Sequence, residues 1–177
     1  INIGYIATYL LKKIPEVDIE IRIETETDKI FKEIVEWEPD VFGLSNYVWN
    51  SSLSNGMCEV AKEKNNNVLT ILGGPEFPAG TGNRKIQDTD NDKTLTKCFN
   101  YLLNRPSVDY YAYSDGEVVF VEIIKKFLEQ SRSVENLRQE NHTIPGCASL
   151  SFDKSKLLVG DYVPRLGMEG SVKSEGR

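Results

Sequence analysis

VLTILGGPEF, residues 68–77, is an apolar run that halts at Gly73-Gly74-Pro75. A short stretch of Val, Leu, Ile and Thr bounded by turn residues reads as a buried strand, of the kind found in sheets covered on both faces. Two glycines at its end leave backbone without Cβ, so something is expected to come close there. The stretch defines a central strand and marks the turn that follows it.

Working upstream, DVFGLSNYVWN (40–50) is a second buried strand that stops near Ser45. A helix over SSLSNGMCEVAKEKNNN, capped by Ser51 or Ser52, joins the two strands. Before it, TDKIFKEIVEWEPD starts at Thr27 or Asp28, buries Ile30, Phe31, Ile34 and Trp37, and ends at Pro39. VDIEIRIET alternates apolar and charged residues, which predicts an edge strand over about Val17 to Ile23. IGYIATYLLKKI puts Ile3, Ile6, Ala7, Leu10 and Leu11 on one helical face.

Downstream, VDYYAYSDGE is a further strand, followed by a helix from Glu117 to about Glu129 with Val119, Phe120, Ile123, Ile124 and Phe127 inside. Between them a polar insertion, about residues 78–106, ends in a helix from Lys93 to Leu103. Its Asp88, Asp90 and Asp92 imitate the start of a calcium loop. Lys93 and Phe99 stand where such a loop needs glycine and glutamate, so calcium binding is not expected. IPGCASLSFDKSKLLVGDYVP predicts a hairpin over about 144–160 with its turn near Asp153-Lys154. One domain is expected over 1–165, with a Gly- and Ser-rich tail over 166–177.

Strands alternating with helices at this pitch pair in parallel through right-handed crossovers. The fold class is α/β, a doubly wound, mostly parallel sheet. Ligands of such sheets bind outside the carboxyl ends of the strands. The turns after Ser45, Gly73 and Ser114 are therefore the first candidates.

Bulk properties narrow the function. The 177 residues carry a net charge of −6, with 40% hydrophobic and 27% charged residues, and basic residues lie scattered among acids. Nucleic-acid binding is not expected from that balance. No apolar stretch is long enough to span a bilayer, so no membrane partner is expected. Cys58, Cys98 and Cys147 are widely spaced, which suggests free thiols and a reducing, cytoplasmic setting. A chain that begins at Ile1 is expected to be part of a longer product.

No catalytic constellation stands out. His142 is the sole histidine, in a polar stretch, and no P-loop, GxSxG, HExxH or GxGxxG occurs. No catalytic residues and no metal ligands are assigned. Binding features are clearer: Ser45, Asn46 and Asn50 offer hydroxyl and amide groups, Tyr47 and Trp49 planar surfaces, and Asp115, Gly116 and Glu117 open a helix.

Taken together, IGYIATYL, PDVFGLSNYVWN, ILGGPEF, VDYYAYSDGE and IPGCASL resemble the cobalamin-binding domain of cobalamin-dependent radical S-adenosylmethionine enzymes, over about Ile3 to Leu150. The resemblance implies a flavodoxin-like, Rossmann-like cobalamin-binding fold. It implies that Ser45, Asn46, Tyr47, Val48 and Trp49 lie beside the corrin or its tail, and that Gly73, Gly74 and Pro75 line the tail's slot, with Glu76 and Phe77 at the rim. Ser114, Asp115, Gly116 and Glu117 match the family's GEGE stretch, with Ser and Asp replacing its first Gly and Glu.

The resemblance also implies a strand ahead of INIG that the sequence does not contain, and a catalytic barrel with an iron–sulfur cluster and S-adenosylmethionine as partner domain. The DxHxxG signature is absent, so cobalamin without a histidine ligand is implied. The residues alone also allow a flavodoxin-like interaction or structural module without a cofactor, or a nucleotide- or flavin-binding domain on the same sheet.

Overall fold

The structure is a computed structural model and describes residues 3–78 and 92–164. Among these residues five strands form one sheet in the order β1-β2-β3-β4-β5. They are β1 (Val41–Ser45), β2 (Leu69–Gly73), β3 (Tyr110–Ala112), β4 (Cys147–Leu150) and β5 (Leu157–Val159). The first three are parallel, and the expected hairpin adds β4 and β5 antiparallel to its neighbours. Among the described residues six helices accompany them: α1 (Ile3–Lys13), α2 (Thr27–Glu36), α3 (Ser51–Lys64), α4 (Asp92–Leu103), α5 (Gly116–Glu129) and α6 (Val134–Gln139).

Both faces are covered. On one side Ile71, Tyr110 and Ala112 pack with Val119, Ile123 and Phe127 of α5 and with Leu10 of α1. On the other, Leu72 and Tyr111 pack with Cys58 of α3 and with Cys98 and Leu102 of α4. Alternation along β2 sends Leu69 and Ile71 one way and Leu72 the other, the period of two a strand imposes. The doubly wound α/β architecture follows from that division.

A buried ionic cluster secures the amino end of β3. Asp109 is 3% exposed and meets Lys62 Nζ at 2.6 Å and Arg138 Nη1 at 3.3 Å. It also accepts from the backbone N of Thr70 at 2.9 Å, tying β3 to β2. A charge this buried is tolerable only because its partners are held in place.

Several elements differ from expectation. Residues 17–23 form no ladder, although Val17, Ile19 and Ile21 alternate inward and pack on the core. A strand needs a neighbour to bond, and none of the described strands flanks this one. In α1, Leu11 is exposed and Tyr9 turns inward instead; in α2, Phe31 is half exposed while Ile34 is buried. Glu26 and Asn50, just ahead of the expected residues, stand at the N-cap positions of α2 and α3, and neither side chain makes a capping hydrogen bond. The helix α6 was not anticipated. Asp88 and Asp90 of the calcium-like run lie outside the described residues, as does the 166–177 tail.

Candidate functional site at the carboxyl ends of three strands

Parallel register places Ser45 opposite Gly73, and Gly73 opposite Ala112. The turns after β1, β2 and β3 therefore emerge side by side from one edge of the sheet, which is where a doubly wound fold presents ligands.

The first turn is held by its own asparagines. Asn46 donates its backbone N to Gly73 O at 2.6 Å and is fully buried. Its side-chain Nδ2 donates to Tyr101 Oη at 2.7 Å and to Tyr111 Oη at 3.2 Å. Asn50 Oδ1 accepts from Tyr47 N at 2.7 Å, and its Nδ2 donates to Ser45 O at 2.9 Å. With the backbone fixed in this way, the turn projects Val48 (77% exposed) and Trp49 (81% exposed) into solvent. Trp49 stacks on Tyr47 with ring centroids 4.6 Å apart and planes 12° apart. Two exposed apolar side chains and a stacked aromatic pair make a flat shelf.

The second turn answers what approaches its glycines. Gly74 has φ +130°, a conformation side chains rarely adopt, and a Cβ there would collide with the backbone carbonyl of Asn46. The chain's own first turn makes the close approach. Tyr111 Oη donates to Gly74 O at 3.1 Å. Phe77 is buried beneath, stacked on Tyr111 at 4.5 Å and edge-on to Tyr101 at 5.4 Å. Burial pushes the Tyr111 phenol above its ordinary range, so it stays a neutral donor. Pro75 is exposed and Glu76 half-buried.

In the third turn Asp115 caps α5, accepting from Glu117 N at 3.2 Å. Burial, and then the neighbouring Asp115 carboxyl, hold the Glu117 carboxyl above its ordinary value. The helix end is thus already served by a carboxylate of its own. Ser114 lies against Gly146, whose φ is +71° and whose missing Cβ leaves room for the Ser114 hydroxyl.

Ser45, Gly73, Ala112 and Gly116 also form the upper wall of an open groove of about 840 Å³ that runs down the outer edge of β1. The structure brings Ser45, Gly73 and Gly116 to that wall and leaves Val48 and Trp49 at the solvent-facing shelf. It turns Asn46, Gly74 and Phe77 inward. Sequence reasoning missed Tyr101 and Tyr111 as supports of the site. Tyr111 was legible only as strand core, and Tyr101 belongs to a helix 55 residues from Asn46.

His142 is exposed on the loop after α6, in contact with Glu140. Among the described residues no cluster of His, Cys, Asp or Glu could hold a metal, and no helix is long and apolar enough to cross a membrane. All three cysteines are buried, and burial raises the thiols of Cys58 to about 12 and Cys98 to about 11, which disfavours the thiolate at neutral pH.

A corrin is a broad, apolar ring fringed with amides, carrying a nucleotide tail, and the residues present fit such a group. The shelf offers a flat apolar surface. Asn46 Oδ1 and Ser114 Oγ are buried at the strand ends with no hydrogen-bond partner among the described residues, an unused bonding capacity at these turns.

Comparison with known proteins bears on the same stretch. Residues 1–87 match the family model of the B12 binding domain. The cobalamin-dependent radical SAM methyltransferase TokK of Streptomyces tokunonensis is 34% identical over 87 residues, which are 49% of this chain and 10% of the relative. The 2-(S-pantetheinyl)-carbapenam-3-carboxylate methyltransferase of Streptantibioticus cattleyicolor is 28% identical over 87 residues, with the same coverage, 49% of this chain and 10% of the relative. The aligned stretch is thus about a tenth of either relative's length. The family-model match contains the first two turns of the site and the strands that carry them. Residues 1–87, just under half of the chain, are thus similar to the B12 binding domain family.

Proposed function

We propose that this chain is the cobalamin-holding module of a cobalamin-dependent radical S-adenosylmethionine enzyme, a methyltransferase or cyclase-like member. The observation that carries the reading is the family match over residues 1–87, which spans the Ser45–Asn50 and Gly73–Phe77 turns. In this reading Tyr47, Val48 and Trp49 bear on the ring. Ser45, Asn46 and Ser114 supply polar contacts, and Gly73, Gly74, Pro75, Glu76 and Phe77 with Asp115, Gly116 and Glu117 bound the slot. The cofactor, when bound, supplies a cobalt centre that can carry a methyl group.

The module's residues orient the cofactor and keep water from one face of it. The three turns contain no histidine and His142 lies on the loop after α6, so these residues would offer cobalt no imidazole; a base-off cofactor is part of the proposed reading. The chemistry belongs to a barrel domain that carries an iron–sulfur cluster and S-adenosylmethionine. This chain alone is non-catalytic.

One observation favours a second reading, an interaction or structural module without cofactor. Asn46 closes on Gly74, and Phe77 fills the space beneath the turn. Titration with hydroxocobalamin, followed by visible absorbance and calorimetry, separates the two. The first reading expects one-to-one binding with Kd of roughly 10 μM or tighter, about −7 kcal/mol. Folded protein that gives no heat and no spectral change at high micromolar cobalamin would overturn it and leave the second.

A further inference from the structure

β5 is the outermost strand on the side of the sheet away from β1, and no described strand lies along its outer edge. Bonded and unbonded pairs alternate along an antiparallel ladder. Gly160 N donates to Cys147 O and Ser151 N to Lys156 O, in each case between residues directly opposite in the register, so Leu158 between them also faces β4. Leu157 and Val159 therefore turn their N–H and C=O outward. Neither has a backbone partner there among the described residues. The edge is apolar, Leu157-Leu158-Val159, and only half-buried. Open ladder groups on an apolar strand invite another strand.

The helical layer above this edge is uncovered in the same direction. The helix α4 lies against both β4 and β5. Its Tyr101 and Arg105 reach Asn46 and Ser51, which fixes the flank that faces α3. Leu95, Phe99 and Leu103, spaced four residues apart, run along the opposite flank. Phe99 packs in one cluster with Leu157 and Val159, while Leu95 is 38% and Leu103 42% exposed. An open strand edge and an uncovered helix stripe thus border one another.

Register selects the occupant. A second copy of β5, antiparallel about a two-fold axis at Leu158, sets Leu157 opposite Val159 of the second copy and Val159 opposite the second copy's Leu157. Every outward group of the strand then bonds, two bonds to each pair. Lys156 meets Gly160 of the second copy and Asp161 meets Ser155, so no like charges oppose one another. Shifting the register by two residues fails either way. A centre at Val159 needs the Asp161 carbonyl, which is turned to Gly146 N, and a centre at Leu157 brings Asp153 against Asp161. Spacing agrees as well. Strands stand about 4.8 Å apart, so a helix bridging β4 and β5 lies roughly one strand spacing from the two-fold. The two α4 helices then come about 10 Å apart, close enough to pack. We propose that this face joins two copies of the chain, β5 to β5 and α4 to α4, in one sheet that runs through the two-fold. The inference rests on β5 and α4 and is independent of the cofactor.

Sedimentation equilibrium of the full chain over about 1–300 μM tests this. A shift from monomer to dimer mass with Kd of about 100 μM or tighter is expected. A weaker constant, or monomer mass throughout, overturns the proposal. Val159→Pro removes an outward N–H and no bond to β4, so it should weaken association at least about 30-fold. Leu103→Lys, at an exposed position on the stripe, should weaken it about tenfold or more, and it decides if the proline variant does not fold. Association unchanged in Leu103→Lys, or in a folded Val159→Pro, overturns the proposal, because the copies would then meet elsewhere. In the parent, the amides of Leu157 and Val159 should exchange freely in the monomer and slow on dimerisation. Equal protection at every concentration also overturns it, because the chain's own residues would then cover the edge.

Discussion

Gly74 and Asn46 are locked together: the glycine's φ of +130° and its missing Cβ let the Asn46 carbonyl lie against it, while Asn46 N holds Gly73 O at 2.6 Å. Gly74→Ala sets a side chain in strained backbone and against another backbone, neither of which can yield cheaply. A loss of about 2–3 kcal/mol in urea unfolding is expected, with cobalamin binding weakened in parallel because two turns shift together. A variant as stable as the parent would show that the close approach is dispensable.

Trp49 should behave in the opposite way. At 81% exposure it supports little of the fold, so Trp49→Ala should leave stability within about 0.5 kcal/mol. As part of the shelf it should cost roughly tenfold or more in hydroxocobalamin affinity, about 1.4 kcal/mol. Unchanged affinity would remove the shelf from the site.

Asp109→Ala leaves the half-buried Lys62 and Arg138 without their shared anion. The expected cost is about 3–5 kcal/mol, measured as a lower urea midpoint.

The hairpin turn should be acid-sensitive. Asp153 accepts from Ser151 Oγ at 2.7 Å and from Ser155 N at 3.0 Å, and these bonds, Ser151 first, lower its carboxyl from 3.8 to about 2. A lowered folded value stabilises the native state above pH 3.8 and loses that contribution as pH falls towards about 2. Asp153→Asn should therefore flatten the pH dependence of stability in that window, and only there.

The three thiols should resist modification. With Cys58 raised to about 12 and Cys98 to about 11, and Cys147 also raised by burial, thiolate is scarce at neutral pH. A disulfide dye should react at least about 100-fold more slowly with native than with urea-unfolded protein.

Much of this was legible in the sequence, for physical reasons that differ by element. Apolar runs such as 69–72, too short for a helix and bounded by turn residues, read as buried strands, and turn residues at Gly73, Asp115 and Asp153 mark where elements end. The stretch 17–23 shows the limit: alternation tells that a segment can be a strand, whereas a ladder depends on what lies beside it. The short helix α6 offered a cap, Ser133, whose Oγ accepts from Asn136 N at 3.2 Å, but its six residues are too few for periodicity to register. At the site, the three turns were legible from composition. Their inward and outward faces were not, since Asn46 and Asn50 look alike in sequence while one is wholly buried and the other clamps its own turn. Tyr101 could be recognised as a support only after folding had set α4 beside the sheet.

The way Asn46 and Asn50 hold the first turn separates two tasks that many loops combine. The amides of these two residues carry the loop's shape, while Val48 and Trp49 at its tip bear almost no load in the fold. Mutation at the tip can therefore explore new chemistry without risk of unfolding, provided the two asparagines remain. Lineages that carry this turn should vary most at positions 48 and 49 whenever the demand on the shelf changes, making it a place where recognition evolves at little structural risk.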